Sequence, residues 1–279
     1  MPFNEAQSAA VGHKDGPMMV LAGPGSGKTT VVTHRVQSLV EKHGVNPSSI
    51  LVITFTRAAA REMKERFERL MEGRPMRGQV SFGTFHSVFF RILKLAYQYD
   101  ASDIIREDQK LRVIRELTAK EQLEPEDENE LISSLISEIS AVKGEQIDLE
   151  HYYAKSCSGD SFRRIYRGYE EQLQRAHKID FDDMLVMCWE LFRKRPDILS
   201  AWQKKYEYIL VDEFQDINRL QYQIVRMLAA PSDNLFIVGD DDQSIYRFRG
   251  AKPEIMLGFE KDYPGARRVL LAENYRSSR

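Results

Sequence analysis

The run Val20-Leu21-Ala22-Gly23-Pro24-Gly25-Ser26-Gly27-Lys28-Thr29-Thr30 restricts the fold of this 279-residue chain more than any other stretch. Three apolar residues enter a turn rich in glycine, and a Lys-Thr pair then opens a helix-forming segment. This is the pattern of a phosphate-binding loop, with Ala22 where the strict form has its first glycine. The glycines allow successive backbone N–H groups to converge on a β-phosphate, and the N-terminus of the following helix adds partial positive charge. In such a loop Lys28 reaches the β- and γ-phosphates and the Thr29 hydroxyl holds Mg²⁺. The plainer alternative is a glycine-rich loop that merely precedes a helix. The strand–loop–helix context favours a nucleoside triphosphate.

The rest of the chain repeats that context. Ile50 to Thr56 is a β-branched run suited to a parallel strand buried on both faces, and a helix follows with Ala60, Met63, Phe67, Leu70 and Met71 on one side. Val80 to His86 and then Phe89 to Tyr97 form another βα step. Alternating strands and helices imply a doubly wound α/β layer, whose ligands sit beyond the carboxyl ends of the strands. Thr54, Phe55, Thr56, Thr84 and His86 fall at those ends, although Phe55 and Phe85 could equally be core and His86 a helix cap. From about 92 to 194 strand-like runs give way to helical periods such as Leu111/Ile114/Leu117 and Leu131/Leu135/Ile139. We expect an all-helical domain there, inserted into an α/β domain made of 1–91 and 195–279. Within it, Arg163, Arg164, Arg167, Arg175 and Lys178 form a basic helix that is either a solvated face or a phosphate contact. Tyr166 and Tyr169, at helical spacing, read as core.

The sheet pattern resumes at Tyr208-Ile209-Leu210-Val211, which runs into Asp212 and Glu213. At a strand end both carboxylates can reach a bound phosphate, Asp212 through Mg²⁺ and Glu213 by orienting or deprotonating an attacking water. The pairing with an upstream phosphate loop favours hydrolysis over transfer to a small molecule. Asn234 to Asp240 is a further buried strand. Just past it, Gln243 can detect a γ-phosphate, and Tyr246 and Phe248 alternate with Arg247 and Arg249, a pattern suited to stacking on unpaired bases. Charge supplies a constraint here: a net charge of −2 gives no overall field for a polyanion, so any nucleic-acid contact must be local. Met1 to Glu5 lacks a signal-peptide start, no apolar run approaches a membrane span, and Cys157 and Cys188 have no metal-ligand spacing. These observations suggest reduced thiols in a cytoplasmic protein.

Taken in order, these residues resemble superfamily 1 DNA helicases of the UvrD/PcrA/Rep type. Phe3 to Gln7 is similar to the glutamine motif, Ala22 to Thr29 to motif I, Thr54 to Thr56 with Ala58 to Met63 to motif Ia, and Gly83 to His86 to motif Ib. Val211 to Asp216 is similar to motif II, Gly239 to Ala251 to motif III and Asn274 to Ser277 to motif IV. The resemblance implies a RecA-like P-loop parallel sheet (domain 1A) with an inserted helical domain 1B. ATP and Mg²⁺ would be held by Gln7, the loop Ala22-Gly23-Pro24-Gly25-Ser26-Gly27-Lys28-Thr29-Thr30 and Tyr275, with Thr29 and Asp212 on the metal. Gln243 and Arg276 would engage the γ-phosphate beside Lys28 and Glu213. Phe55, His86, Tyr246, Phe248 and Arg249, with Thr54 and Thr84, would line a path for single-stranded DNA. The implied activity is 3′ to 5′ movement on one strand at duplex junctions, as in DNA repair, driven by ATP and requiring a second RecA-like domain that follows motif IV. The 279 residues alone would then hydrolyse ATP weakly.

Three positions depart from the family pattern: Thr30 stands where many members have Arg, Arg57-Ala58 replaces Asn-Lys, and Phe248 replaces Trp. The Phe also occurs in the helicase–nuclease branch, while Asp241-Asp242 favours the UvrD side. A self-contained nucleotide-dependent DNA-binding module and a small-molecule P-loop kinase are the other readings. The Asp212-Glu213 pair and the aromatic–arginine run argue against the kinase.

Overall fold

The computed structural model describes residues 3–23, 25–123, 125–240 and 253–273. The chain divides into two compact units, Met1–Val88 with Leu191–Arg279, and Phe89–Glu190. Both divisions fall inside continuous helices, at 88/89 and 190/191 rather than at 91/92 and 194/195. A helix that changes packing partners carries no Gly or Pro to mark the change, so its periodicity runs through the boundary.

In the first unit, helix α1 (Glu5–Gly12) precedes strand β1 (Met18–Ala22) and helix α2 (Lys28–Glu41). Strand β2 (Ile50–Thr54), helix α3 (Arg57–Leu70), strand β3 (Ser81–Thr84) and helix α4 (Phe85–Tyr97) follow. After the helical unit, the chain returns through α9 (Pro196–Lys205), β4 (Tyr208–Val211), α10 (Arg219–Ala229), β5 (Leu235–Gly239), α11 (Pro253–Asp262) and β6 (Arg267–Leu271). The six strands form one sheet in the order β3-β2-β4-β5-β1-β6, every pairing parallel. Strands β1, β2, β4 and β5 are buried along their whole length, as expected of a parallel sheet covered on both faces. Val20, Val52, Leu210, Phe236 and Val238 pack with apolar residues of α1, α2 and α3 on one face. The alternate residues Leu21, Ile53, Ile209, Val211 and Ile237 are buried as well.

The second unit is helical apart from an isolated bridge, Ile104 to Ile179. Its core is built by α5 (Glu107–Lys120), α6 (Glu128–Glu145) and α7 (Gly159–Arg175), with Ile114, Leu135, Ile139, Ile165 and Tyr169 among its buried residues. Helix α8 (Phe181–Lys194) completes it. The buried stripe of α5 is rotated from expectation. Leu111 is 36% exposed and Lys110 is buried, because Lys110 finds Asp180 at 3.5 Å, a partner that helical periodicity alone does not reveal. Tyr169 is core, as its spacing suggests, and its hydroxyl donates to Asp180.

Candidate active site

Parallel register brings four strand ends to one rim. Leu21 lies opposite Gly239, Val211 opposite Ile237, and Ile53 opposite Val211, so β1, β2, β4 and β5 finish side by side. The residues that follow those ends include the sequence candidates Gly23 to Thr30 and Asp212-Glu213, with Asp240 beside them.

The loop after β1 is shaped by Gly25 and Gly27, whose φ angles of 74° and 86° lie in the left-handed region that side chains disfavour. Ser26 folds back, its hydroxyl donating to the Gly23 carbonyl at 2.7 Å. Gly27 is the N-cap of α2 and supplies no side-chain cap. The first-turn N–H groups of α2 therefore face the loop without a capping oxygen, an arrangement that suits an anion. Pro24 lies outside the described residues. Thr29 and Thr30 are half-buried in that first turn, and the Thr30 carbonyl accepts from His34 Nδ1 at 2.9 Å.

Lys28 Nζ sits 3.3 Å from Glu213 Oε2 and 4.0 Å from Asp240 Oδ2, so the loop and the acidic strand end meet at one place. Glu213 has φ 51° and ψ 43°, a left-handed conformation that for a non-glycine residue stores on the order of 1–3 kcal/mol. Its carboxylate also accepts from Gln215 Nε2 at 2.7 Å. Asp212 is 4% exposed; its backbone N–H continues the sheet by donating to Ile53, while its Oδ1 is buried without a hydrogen-bond partner. Burial, and then the neighbouring Glu213 charge, push the Asp212 carboxyl up to about 7. The adjacent strand end contributes Thr54 Oγ1, also buried and without a hydrogen-bond partner. Buried oxygens left unsatisfied are costly, and oxygen ligands are what a hard divalent cation takes. The unpartnered Asp212 carboxylate oxygen fits the donor chemistry of a divalent cation such as Mg²⁺, with Thr29 as the hydroxyl candidate. Among the described residues there is no cluster of three His, Cys, Asp or Glu that would hold a metal by protein ligands alone.

Gln7 lies beside this loop. It is the N3 residue of a capping box with Asn4, its Oε1 accepting from the Asn4 N–H at 3.3 Å and its Nε2 donating to the Ser26 carbonyl at 3.3 Å. It is 6% exposed, far from the idle surface residue that Gln7 suggests in isolation. The Asn-x-x-Gln spacing, a capping-box signature, was the signal for this.

The expected DNA-path residues divide. Phe55 is half-buried with its ring 5.0 Å from the core ring of Phe85, and His86 is half-buried in the first turn of α4. Thr54 and Thr84 are 1% and 9% exposed, and Thr84 exchanges hydrogen bonds with Ser87 at the start of α4. The helix of α4 begins at Phe85, so the strand ends earlier than Val80 to His86 suggests. Gln243, Tyr246, Phe248, Arg249, Tyr275 and Arg276 lie outside the described residues. Two residues with no role assigned from sequence join the site: Asp240, beside Lys28, and Gln215. A groove of about 560 Å³ lined by Ser8, Gly12, His13 and Arg267 lies at the opposite rim, near the starts of β1 and β6, away from these groups.

The model of the UvrD/REP helicase N-terminal domain matches residues 3–264. The chain is 39% identical over 287 residues to the ATP-dependent DNA helicase PcrA of Staphylococcus aureus, which covers 99% of this chain and 38% of that protein. It is 40% identical over 285 residues to PcrA of Bacillus subtilis, with 99% and 38% covered. To the protein YjcD of Bacillus subtilis it is 40% identical over 280 residues, with 99% and 37% covered. The chain thus spans well under half the length of these relatives.

Proposed function

The chain belongs to the UvrD/REP helicase N-terminal domain family, and from that premise we propose that it is the ATP- and single-stranded-DNA-binding part of a 3′ to 5′ DNA helicase or translocase. The 3.3 Å approach of Lys28 to Glu213 carries the reading, because it joins a phosphate-binding loop to a catalytic carboxylate at one rim. The discontinuous unit is then the RecA-like domain 1A, and the helical unit its inserted domain 1B.

In this reading the α2 N-terminus and loop backbone cradle the phosphates, and Lys28 turns from Glu213 to the β- and γ-phosphates. Thr29 and Asp212 would hold Mg²⁺, which would supply charge neutralisation for the phosphates. Glu213 orients water for in-line attack on the γ-phosphate and takes its proton. Gln243 and Arg276 engage the γ-phosphate. Gln7 retains one amide N–H and one lone pair for an adenine edge, and Tyr275 stacks on the base. Phe55, His86, Tyr246, Phe248 and Arg249 contact single-stranded DNA at or near duplex junctions. A second RecA-like domain completes both sites, and the whole acts in the cytoplasm in DNA repair.

Glu213→Gln tests the reading. Mg-ATP binding persists, and single-strand-stimulated ATP hydrolysis by the protein as encoded falls by about 10²–10⁴-fold, the usual contribution of a general base. Unchanged turnover refutes the assignment.

A further inference from the structure

Gln215 is 3% exposed and lies between the ends of β4 and β5, 25 residues before its partner Asp240. Its amide has one orientation compatible with its neighbours. Nε2 donates to Glu213 Oε2 at 2.7 Å, and Oε1 accepts the Asp240 backbone N–H at 3.0 Å. A flipped amide would set oxygen against carboxylate and N–H against N–H. The space is also fitted from the other side: a Cβ on Gly239 would come within 2.8 Å of Gln215 Oε1 and 3.0 Å of the Met256 thioether. The Glu213 side chain is otherwise 37% exposed and held by Lys28.

We propose that Gln215 is the positioning residue for Glu213, fixing its carboxylate by a bridge from the end of β4 to the end of β5. The inference rests on the reading above. There Lys28 leaves Glu213 for the phosphates, and the Gln215 amide remains to hold the carboxylate. The same amide anchors Asp240, from which the sequence continues toward Gln243. One neutral side chain therefore ties the hydrolytic carboxylate to the strand end that leads into the γ-phosphate candidate. Its two atoms have separable tasks, a donor for Glu213 and an acceptor for the strand.

The test uses the protein as encoded, with Mg-ATP and oligothymidylate as the single-strand probe. Gln215→Asn keeps an amide but is one methylene too short to span both partners. It lowers kcat by about 10–100-fold, the scale of a misplaced catalytic group, while the KM for ATP and Mg-ATP affinity change by less than about threefold. Gln215→Glu keeps the acceptor for Asp240 and lowers kcat at least as far. In a Glu213→Gln background, Gln215→Asn produces no further loss, since Gln215 acts through the carboxylate already removed. Gly239→Ala, which presses on Oε1 without altering Gln215, lowers kcat in the same way and serves if the Gln215 variants do not fold. Unchanged kcat in folded variants, additive losses in the double variant, or a matched fall in nucleotide affinity overturn the positioning role alone. Absence of ATP turnover in the unaltered protein overturns the functional reading and this assignment with it.

Discussion

The rim of the sheet and the base of the helical unit both bury carboxylates around a lysine, yet they treat them differently. In the helical unit, Lys143 Nζ meets Asp183 at 2.6 Å, Glu170 at 2.6 Å and Asp180 at 3.1 Å, and Lys110 reaches Asp180 at 3.5 Å. Asp180 and Asp183 also accept each other's backbone N–H, and the Tyr169 hydroxyl donates to Asp180. Opposite charges hold the Asp180 carboxyl well below its ordinary range against the effect of burial, and they raise Lys143. At the rim, Lys28 has Glu213 within 3.3 Å, Asp240 only at 4.0 Å, and Asp212 keeps a buried oxygen unsatisfied. A network whose charges pair with one another holds helices together. A cluster with an unmet oxygen, a left-handed Glu213 and an uncapped helix end is arranged for something the chain does not itself supply.

That contrast can be broken most sharply at Lys143. Lys143→Met leaves Asp183 buried without its cation and Asp180 with Lys110 alone, and the helical unit loses on the order of 3–5 kcal/mol of stability, read by denaturant unfolding. A small loss would mean that the network does not hold the helices. The rim answers in the opposite direction. Asp212 has its folded-state value raised to about 7, so its native form binds a proton more tightly than the unfolded chain does. Stability from this group is full below about pH 4 and declines as pH rises toward 7. Asp212→Asn removes that decline. We expect a gain of about 1–3 kcal/mol at neutral pH that vanishes near pH 4, together with loss of Mg-dependent nucleotide affinity. Destabilisation at neutral pH would place Asp212 among structural charges. The smallest effect belongs to the basic helix. Arg164 pairs with Glu121 at 2.6 Å, Arg163 with Asp160 at 2.7 Å and Arg175 with Glu171 at 3.3 Å, while Arg167 meets Glu150. Arg175→Ala leaves the melting temperature unchanged within error, as exposed pairs do, and leaves single-strand affinity unchanged because these charges are neutralised locally. A marked loss of DNA affinity would revive the phosphate-contact reading.

The alternating layer, its strand runs and the helical stretch were legible in the sequence because each rests on local order: β-branched runs, the spacing of apolar residues, and glycines at a turn. The phosphate loop and the Asp212-Glu213 pair were legible for the same reason, since contiguous residues at a strand end carry their chemistry with them. The Asn4–Gln7 capping box is equally local, but it was not read from the sequence. The exposures of Thr54 and Thr84 were not legible, because whether a strand-end side chain faces in or out depends on where the next helix starts.

The chain order alone determined that a glycine-rich strand-to-helix loop, an acidic strand end and a helical stretch would exist, and which residue types they would hold. Only the tertiary structure decided that β4 lies between β2 and β5, and hence that Gln215 spans to Asp240, Lys28 reaches Glu213, and Lys110 and Lys143 are buried against Asp180. The physical reason is that hydrogen bonds and ion pairs act over about 3–4 Å in space, whatever the separation along the chain. Sheet order and helix docking set those distances, and neither is a property of any one segment.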